Sequence, residues 1–278
     1  MEKIGFIGYG SMARMLISGL IKYGNIKEDQ IIVTRKDKNR LEEIKGDWAQ
    51  ITVTKELSDI VKESKYIFVC VKPLEYIEVL KGLKASLLPN HHIISIAGSV
   101  LLEDMEQIVA CKITKLLPTV ISEVQGGITL VCHNSRVGEE DKKQIEDLLG
   151  RISKLRHTRE EDFGFASEFT SCGPGLFAAI FQEFVEAGLR HGDSFTREGI
   201  NDLVLYTMIG TAKLMLEESM DFEDVIRRVQ TKGGITEVGV RIIQAGLPQI
   251  FNEAFDGMLG KRKLVSEKIH KEFEADRE

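Results

Sequence analysis

The hydrophobic period of this sequence changes once, near Thr158, and that change limits the fold more than any single motif does. Upstream, short apolar runs alternate with amphipathic stretches. Residues 3–7, 30–34, 51–54, 66–71 and 92–97 read as strands, with two more at 112–117 and 128–132. The run Tyr66-Ile67-Phe68-Val69-Cys70-Val71 is apolar without a break, as a strand buried on both faces requires. Between the strands, residues 11–23 read as a helix stopped by Gly24, residues 37–45 as a polar helix and residues 139–153 as a charged one, while Pro73 opens another. Such alternation predicts a parallel, doubly wound sheet. Downstream of Thr158, helical periodicity runs from about residue 161 to 273. Phe177, Phe181 and Phe184 fall at i, i+4 and i+7, one stripe of a helix. Over residues 200–216 apolar side chains, Leu203, Leu205, Met208, Ile209 and Leu216 among them, lie nearly all round. A helix of that kind is buried on most sides. A domain of roughly 120 residues seldom supplies so much burial alone, so a partner subunit is expected.

The formal net charge is -6, with both signs interspersed, so the chain has no basic footprint for nucleic acid. No apolar run approaches the ~20 residues that span a bilayer. The first residues, Met1-Glu2-Lys3-Ile4-Gly5-Phe6-Ile7-Gly8, lack the apolar stretch and cleavage site of a signal peptide. A cytoplasmic protein without membrane contact is expected. Cys70, Cys111, Cys132 and Cys172 form no Cys-x-x-Cys pair and read as four reduced thiols. No pair among the six histidines has ligand spacing on a helix face, so no metal site is expected.

Gly8-Tyr9-Gly10-Ser11-Met12-Ala13 follows the first strand and opens the first helix. The segment fits Gly-x-Gly-x-x-(Gly/Ala) in the required context. Gly8 permits a tight turn, Gly10 lets backbone approach a pyrophosphate, and Ala13 is small enough for close helix–strand packing. The helix N-terminus, at Ser11 and Met12, then offers free N–H groups and a positive dipole end to phosphate. At the end of the second strand, where an NAD site places a carboxylate for the ribose 2′-hydroxyl, stands Thr34-Arg35-Lys36. No carboxylate there repels a 2′-phosphate, and Arg35 and Lys36 offer positive charge, which favours NADP(H) over NAD. The plainer alternative is that both are ordinary loop charges.

Further motifs occur in a fixed order. Val71-Lys72-Pro73 follows the fourth strand and Ser95-Ile96-Ala97-Gly98 the fifth. Ser171-Cys172-Gly173-Pro174, Ala187-Gly188-Leu189 and Lys232-Gly233-Gly234-Ile235-Thr236 lie in the helical half. Together with the glycine loop they resemble the pyrroline-5-carboxylate reductase family over nearly the whole chain. The resemblance implies an α/β Rossmann-type doubly wound sheet domain (residues 1–158) followed by an all-α dimerisation and substrate domain (residues 159–278). It implies NADPH-dependent reduction of 1-pyrroline-5-carboxylate to L-proline, a small-molecule imine as substrate, and a homodimer or higher homo-oligomer formed through the helical domain. Val71, Lys72, Pro73, Ala97 and Gly98 are expected to line the nicotinamide half of the cofactor. Gly233, Gly234, Ile235 and Thr236, with Pro118 and Thr119, are expected to hold the substrate. Chemistry agrees with that placement. A hydroxyl at the imine nitrogen makes C=N a better hydride acceptor, and Thr236 is the candidate. Two glycines opening a helix expose N–H groups for a carboxylate, although on spacing alone the pair reads as a plain helix-to-helix turn.

The chain also departs from the family. Met-Pro-Asn-Thr-Pro becomes Leu117-Pro118-Thr119-Val120-Ile121, Ser-Gly-Ser-Gly-Pro becomes Thr170-Ser171-Cys172-Gly173-Pro174, and Leu74 stands where glutamine is common. These changes are similar to those of the divergent late-competence (ComER-like) branch. The alternative function is therefore a regulatory paralogue that binds NADP with weak or no turnover. A related reductase of another imine or hydroxyacid is a third reading. Hydroxyacid dehydrogenases of this layout use a lysine early in the helical domain, and residues 160–190 contain none.

Overall fold

The computed structural model describes residues 3–192 and 194–276. Strands β1 (Lys3–Ile7), β2 (Ile31–Thr34), β3 (Thr52–Val53), β4 (Ser64–Val69), β5 (His92–Ser95), β6 (Lys112–Leu117), β7 (Ile128–His133) and β8 (Lys154–His157) form one sheet in the order β3-β2-β1-β4-β5-β6-β7-β8. Strand order reverses at β1, which lies between β2 and β4. That is the switch point of a doubly wound sheet, where the loops leaving adjacent strands diverge and open a crevice.

Side chains alternate between two cores, as the pleat demands. Phe6, Val33, Phe68, Ile94 and Leu116 enter one, with Phe6 stacked on Phe68 at 4.7 Å between ring centroids. Ile32, Ile67, Val69, Ile93 and Ile113 enter the other. Helices α1 (Ser11–Lys22), α2 (Leu41–Asp47) and α6 (Glu139–Leu149) cover the first face through Leu16, Leu20, Ile44 and Ile145. Helices α3 (Leu57–Glu63), α4 (Tyr76–Lys84) and α5 (Leu102–Ile108) cover the second through Ile60, Leu80, Leu83 and Met105.

The sheet is mixed rather than wholly parallel, since β7 runs antiparallel to β6. Residues 118–127 between them hold one short 3-10 turn, Val120–Val124, and a parallel crossover needs about a dozen residues or more, usually with a helix. The expected helix over residues 139–153 stops at Leu149, and β8 follows at once as an edge strand. Its sequence, Lys-Leu-Arg-His, leaves three of four residues exposed and so carries no apolar alternation. The polar helix expected over residues 37–45 is a 3-10 turn, Lys38–Arg40, running into α2.

The remaining elements are helices: α7 (Phe163–Thr170), α8 (Gly173–His191), α9 (Arg197–Glu217), α10 (Phe222–Val229) and α11 (Ile235–Ala275). By its contacts the chain forms two units. One runs to Pro174 and takes up the chain again from Leu259, while the other is Gly175–Met258. The boundary read from periodicity, at residue 158, marks where strands end, which is a different property from packing. Within the first unit, Ile269 and Phe273 from the last turns of α11 are buried in the second-face core. Within the other, α9 has no buried residue in the single chain. Its Leu205, Ile209 and Leu216 are exposed, and with α8 it forms an open apolar groove lined by Phe177, Phe181, Phe184 and Met208. The burial expected of residues 200–216 is therefore absent from one chain alone. No helix among the described residues is long and apolar enough to cross a membrane.

Candidate functional site

Gly8 has φ +98°, and a Cβ there would stand 2.4 Å from the Cys70 carbonyl oxygen. Glycine is therefore required at this position by the turn itself. The Gly8 N–H donates to Thr34 O at 2.8 Å and the Cys70 N–H to Ile7 O at 2.7 Å, which ties the loop to the ends of β2 and β1. Gly10 differs. Its φ of -89° suits any residue, and a Cβ built there meets nothing within 4 Å. Nothing among the described residues explains a glycine at position 10, and open space at an uncapped helix start suits an incoming phosphate. Gly10 is the N-cap of α1 with no side-chain cap, so the first-turn N–H groups around Ser11, Met12 and Ala13 are left for a ligand. Ala13 is fully buried. Tyr9, between the glycines, anchors the loop: its hydroxyl donates to Asp47 Oδ2 at 2.8 Å and accepts from Trp48 Nε1 at 2.9 Å, while Arg14 lies over its ring. Burial, then the Asp47 contact, pushes the Tyr9 phenol up to about 12, so it stays neutral. Sequence reasoning passed over Tyr9 because its partners lie almost forty residues away.

The parallel strands share one carboxyl edge, and the other expected cofactor residues leave from it. Thr34 ends β2 with its side chain buried. Arg35 is folded onto Glu43, Nη1 to Oε2 3.0 Å, and Lys36 lies 3.4 Å from Glu78. Val71, Lys72 and Pro73 follow β4, with Pro73 opening a 3-10 turn. Ala97 and Gly98 follow β5. A buried relay fixes these two ends together: Ser95 Oγ donates to Tyr76 Oη at 3.0 Å, Tyr76 Oη donates to Val69 O at 2.7 Å, and the Ala97 N–H donates to Ser95 Oγ at 3.3 Å. Pro118 and Thr119 follow β6. Ser171 Oγ donates to Pro118 O at 3.2 Å, so two of the sequence motifs meet here. The Thr119 hydroxyl is buried and has no hydrogen-bond partner among the described residues. Next to it, Val120 and Ile121 are exposed.

The glycine loop of the helical half belongs to the other unit. Gly233 has φ +74°, and a Cβ at Gly234 would meet Thr231 Oγ1 at 2.3 Å. Both glycines thus answer to local geometry. Their N–H groups are not open, contrary to expectation. Gly233 N donates to Glu237 Oε2 at 2.5 Å, and Gly234 N to Thr231 O at 2.8 Å. A carboxylate one turn into α11 reaches back to cap the loop, a contact that glycine spacing does not disclose. Ile235 and Thr236, in the first turn of α11, are exposed.

A doubly wound sheet whose first strand feeds a Gly-x-Gly loop and an uncapped helix defines a dinucleotide-binding oxidoreductase. Residues 3–99 match the family described as NADP oxidoreductase coenzyme F420-dependent, and residues 160–264 match that described as pyrroline-5-carboxylate reductase dimerisation. The chain is 36% identical to pyrroline-5-carboxylate reductase 3 of Bacillus subtilis (strain 168), over 98% of this chain and 100% of that one. It belongs to the pyrroline-5-carboxylate reductase family, whose members act on CH–NH groups. ComE operon protein 4 of the same organism is 29% identical over 98% of this chain and 99% of its own. The fold matches that of a Plasmodium falciparum pyrroline carboxylate reductase solved with NADP bound, with a TM-score of 0.80, 23% identity and 98% of each chain covered.

Proposed function

We propose that this protein reduces 1-pyrroline-5-carboxylate to L-proline with NADPH, in the cytoplasm, as a homodimer or larger homo-oligomer built through residues 159–278. The observation that carries this reading is the full-length relationship to a pyrroline-5-carboxylate reductase at 36% identity. NADPH, when bound, supplies the hydride that the C=N carbon receives, and the nitrogen takes up a proton. The chain's part is binding and orientation. Gly8 and Gly10 bring backbone close to the pyrophosphate, and the first-turn N–H groups at Ser11, Met12 and Ala13 hold it. The adenosine half lies over the end of β2, where the turn from Arg35 to Arg40 that follows the buried Thr34 supplies the positive charge. Val71, Lys72, Pro73, Ala97 and Gly98 seat the nicotinamide half. Pro118, Thr119, Gly233, Gly234 and Ile235 hold the substrate, and Thr236 Oγ1 donates a hydrogen bond to the imine nitrogen. The substrate carboxylate either displaces Glu237 from Gly233 N or takes the next free N–H groups of α11.

A second reading, an NADP-binding paralogue with weak or no turnover, draws on the loop after β6. Thr119 buries a hydroxyl without a partner among the described residues, and Val120 and Ile121 present apolar surface where the family carries a threonine and a proline. The 29% identity to ComE operon protein 4 points the same way. The two readings separate in one assay, NADPH oxidation with 1-pyrroline-5-carboxylate, an NADH control and proline as the measured product. Turnover that falls at least tenfold in Thr236→Ala supports the reductase and its hydrogen-bond donor. NADPH binding without proline formation supports the paralogue.

A further inference from the structure

Four cations follow β2: Arg35, Lys36, Lys38 and Arg40. Three are committed to carboxylates. Arg35 and Arg40 share Glu43, at 3.0 and 2.5 Å, and Lys36 lies 3.4 Å from Glu78 and 3.7 Å from Glu75. The hydrogen bond to Arg40 holds the Glu43 carboxyl below the usual range, so it stays ionised as the anion for both arginines. Lys38 makes no ion pair among the described residues. Its Nζ instead donates to Thr34 Oγ1 at 3.0 Å, and the acidic group that acts on it through space is Glu56.

Local chemistry puts it there. The Asp37 carboxylate accepts the Asn39 N–H at 3.1 Å, an Asx turn that starts the 3-10 turn Lys38–Arg40 and returns the lysine stem toward β2. Thr34 is 1% exposed, so its hydroxyl is a seat for the ammonium rather than a contact for ligand. Through its carbonyl the same residue receives the Gly8 N–H, which fixes the ammonium relative to the glycine loop.

We infer that Lys38, held by Thr34, is the residue that reads the 2′-phosphate of NADPH, and that Arg35 and Lys36 are not. The inference rests on the NADPH reading proposed above. An ammonium has three donors, and among the described residues one is used here. A partly desolvated cation without a counter-ion gains most from a phosphate dianion, through charge-assisted hydrogen bonds. Arg35 gains less, because reaching a phosphate breaks its pair with Glu43 and leaves that carboxylate beside a second anion. Burial also loosens the Lys38 proton, and a neighbouring phosphate holds it on.

The test is calorimetric titration of the full chain with adenosine 2′,5′-bisphosphate and with 5′-AMP. Wild type is expected to bind the bisphosphate more tightly. Lys38→Ala and Lys38→Gln weaken bisphosphate binding by about tenfold or more and leave 5′-AMP binding unchanged, while Arg35→Ala and Lys36→Ala stay within about threefold of wild type. Thr34→Val behaves like the Lys38 variants, and Thr34→Ser restores binding, as a positioning hydroxyl requires. The assignment is overturned if the loss falls on Arg35→Ala or Lys36→Ala and spares Lys38. Equal binding of both ligands by wild type overturns the NADPH reading itself, and the assignment with it.

Discussion

An added methyl at Gly8 meets a backbone oxygen, and the same methyl at Gly10 meets nothing within 4 Å. The two glycines therefore fail differently when replaced. Gly8→Ala forces a left-handed backbone and a collision with Cys70 O, which costs about 2 kcal/mol or more, read as a lower urea midpoint. Gly10→Ala keeps that midpoint and lowers NADPH affinity by roughly tenfold, because the methyl sits where a pyrophosphate approaches. A Gly10→Ala chain that binds NADPH normally removes the case for a phosphate cradle. The glycine spacing was plain in the sequence. Which cations are already paired was not, because Glu43 and Glu78 reach Arg35 and Lys36 across turns and elements. Glu237 was hidden for the same reason, since its contact with Gly233 depends on a rotamer and not on a motif.

At the scale of elements, α9 places Leu205, Ile209 and Leu216 in solvent in a single chain, in the segment matching the family's dimerisation domain. Burying an isoleucine is worth about 1.5–3 kcal/mol, and an arginine in its place brings a desolvated charge. Ile209→Arg is expected to raise the dimer dissociation constant at least tenfold, with helix content retained. Sedimentation velocity and circular dichroism read both, and a dimer unaffected by Ile209→Arg places the interface off this face. Strands buried on both sides were legible because continuous apolar runs admit few alternatives, as β4 and β5 illustrate. The edge strand β8 was not, and neither were the seven-residue helices α3 and α5, which are too short to establish a period. The antiparallel turn of β7 follows from the length of one connection, which composition does not report.

The whole molecule carries a pH dependence that comes from the sheet's other edge. His92 Nε2 lies 2.6 Å from Thr114 Oγ1, which lies 2.8 Å from His133 Nδ1, with the His157 ring tilted against His133 beyond. Burial lowers His92 to about 3. Burial, then the His157 charge, lowers His133 to about 4. Unfolded, both protonate near 6.5. The unfolded chain thus binds protons that the folded chain refuses, and stability falls as pH drops below about 6.5, levelling only near the folded values. The slope approaches about 1.4 kcal/mol per pH unit for the buried His92 and is smaller for the part-exposed His133, whose charge water screens. Urea unfolding at pH 7.5, 6 and 5 measures it, and His133→Asn is expected to flatten the profile. An unchanged slope in that variant assigns the acid sensitivity elsewhere.

Helix α11 spans 41 residues, and its last turns deliver Ile269 and Phe273 to the core beneath the sheet. Both side chains come from far along the chain from the strands they cover, so this face of the sheet is closed by contacts of long sequence separation, which are slow to form. The cofactor half is therefore not a folding unit by itself. A chain cut within its helical half would keep every strand and leave an apolar floor open to water.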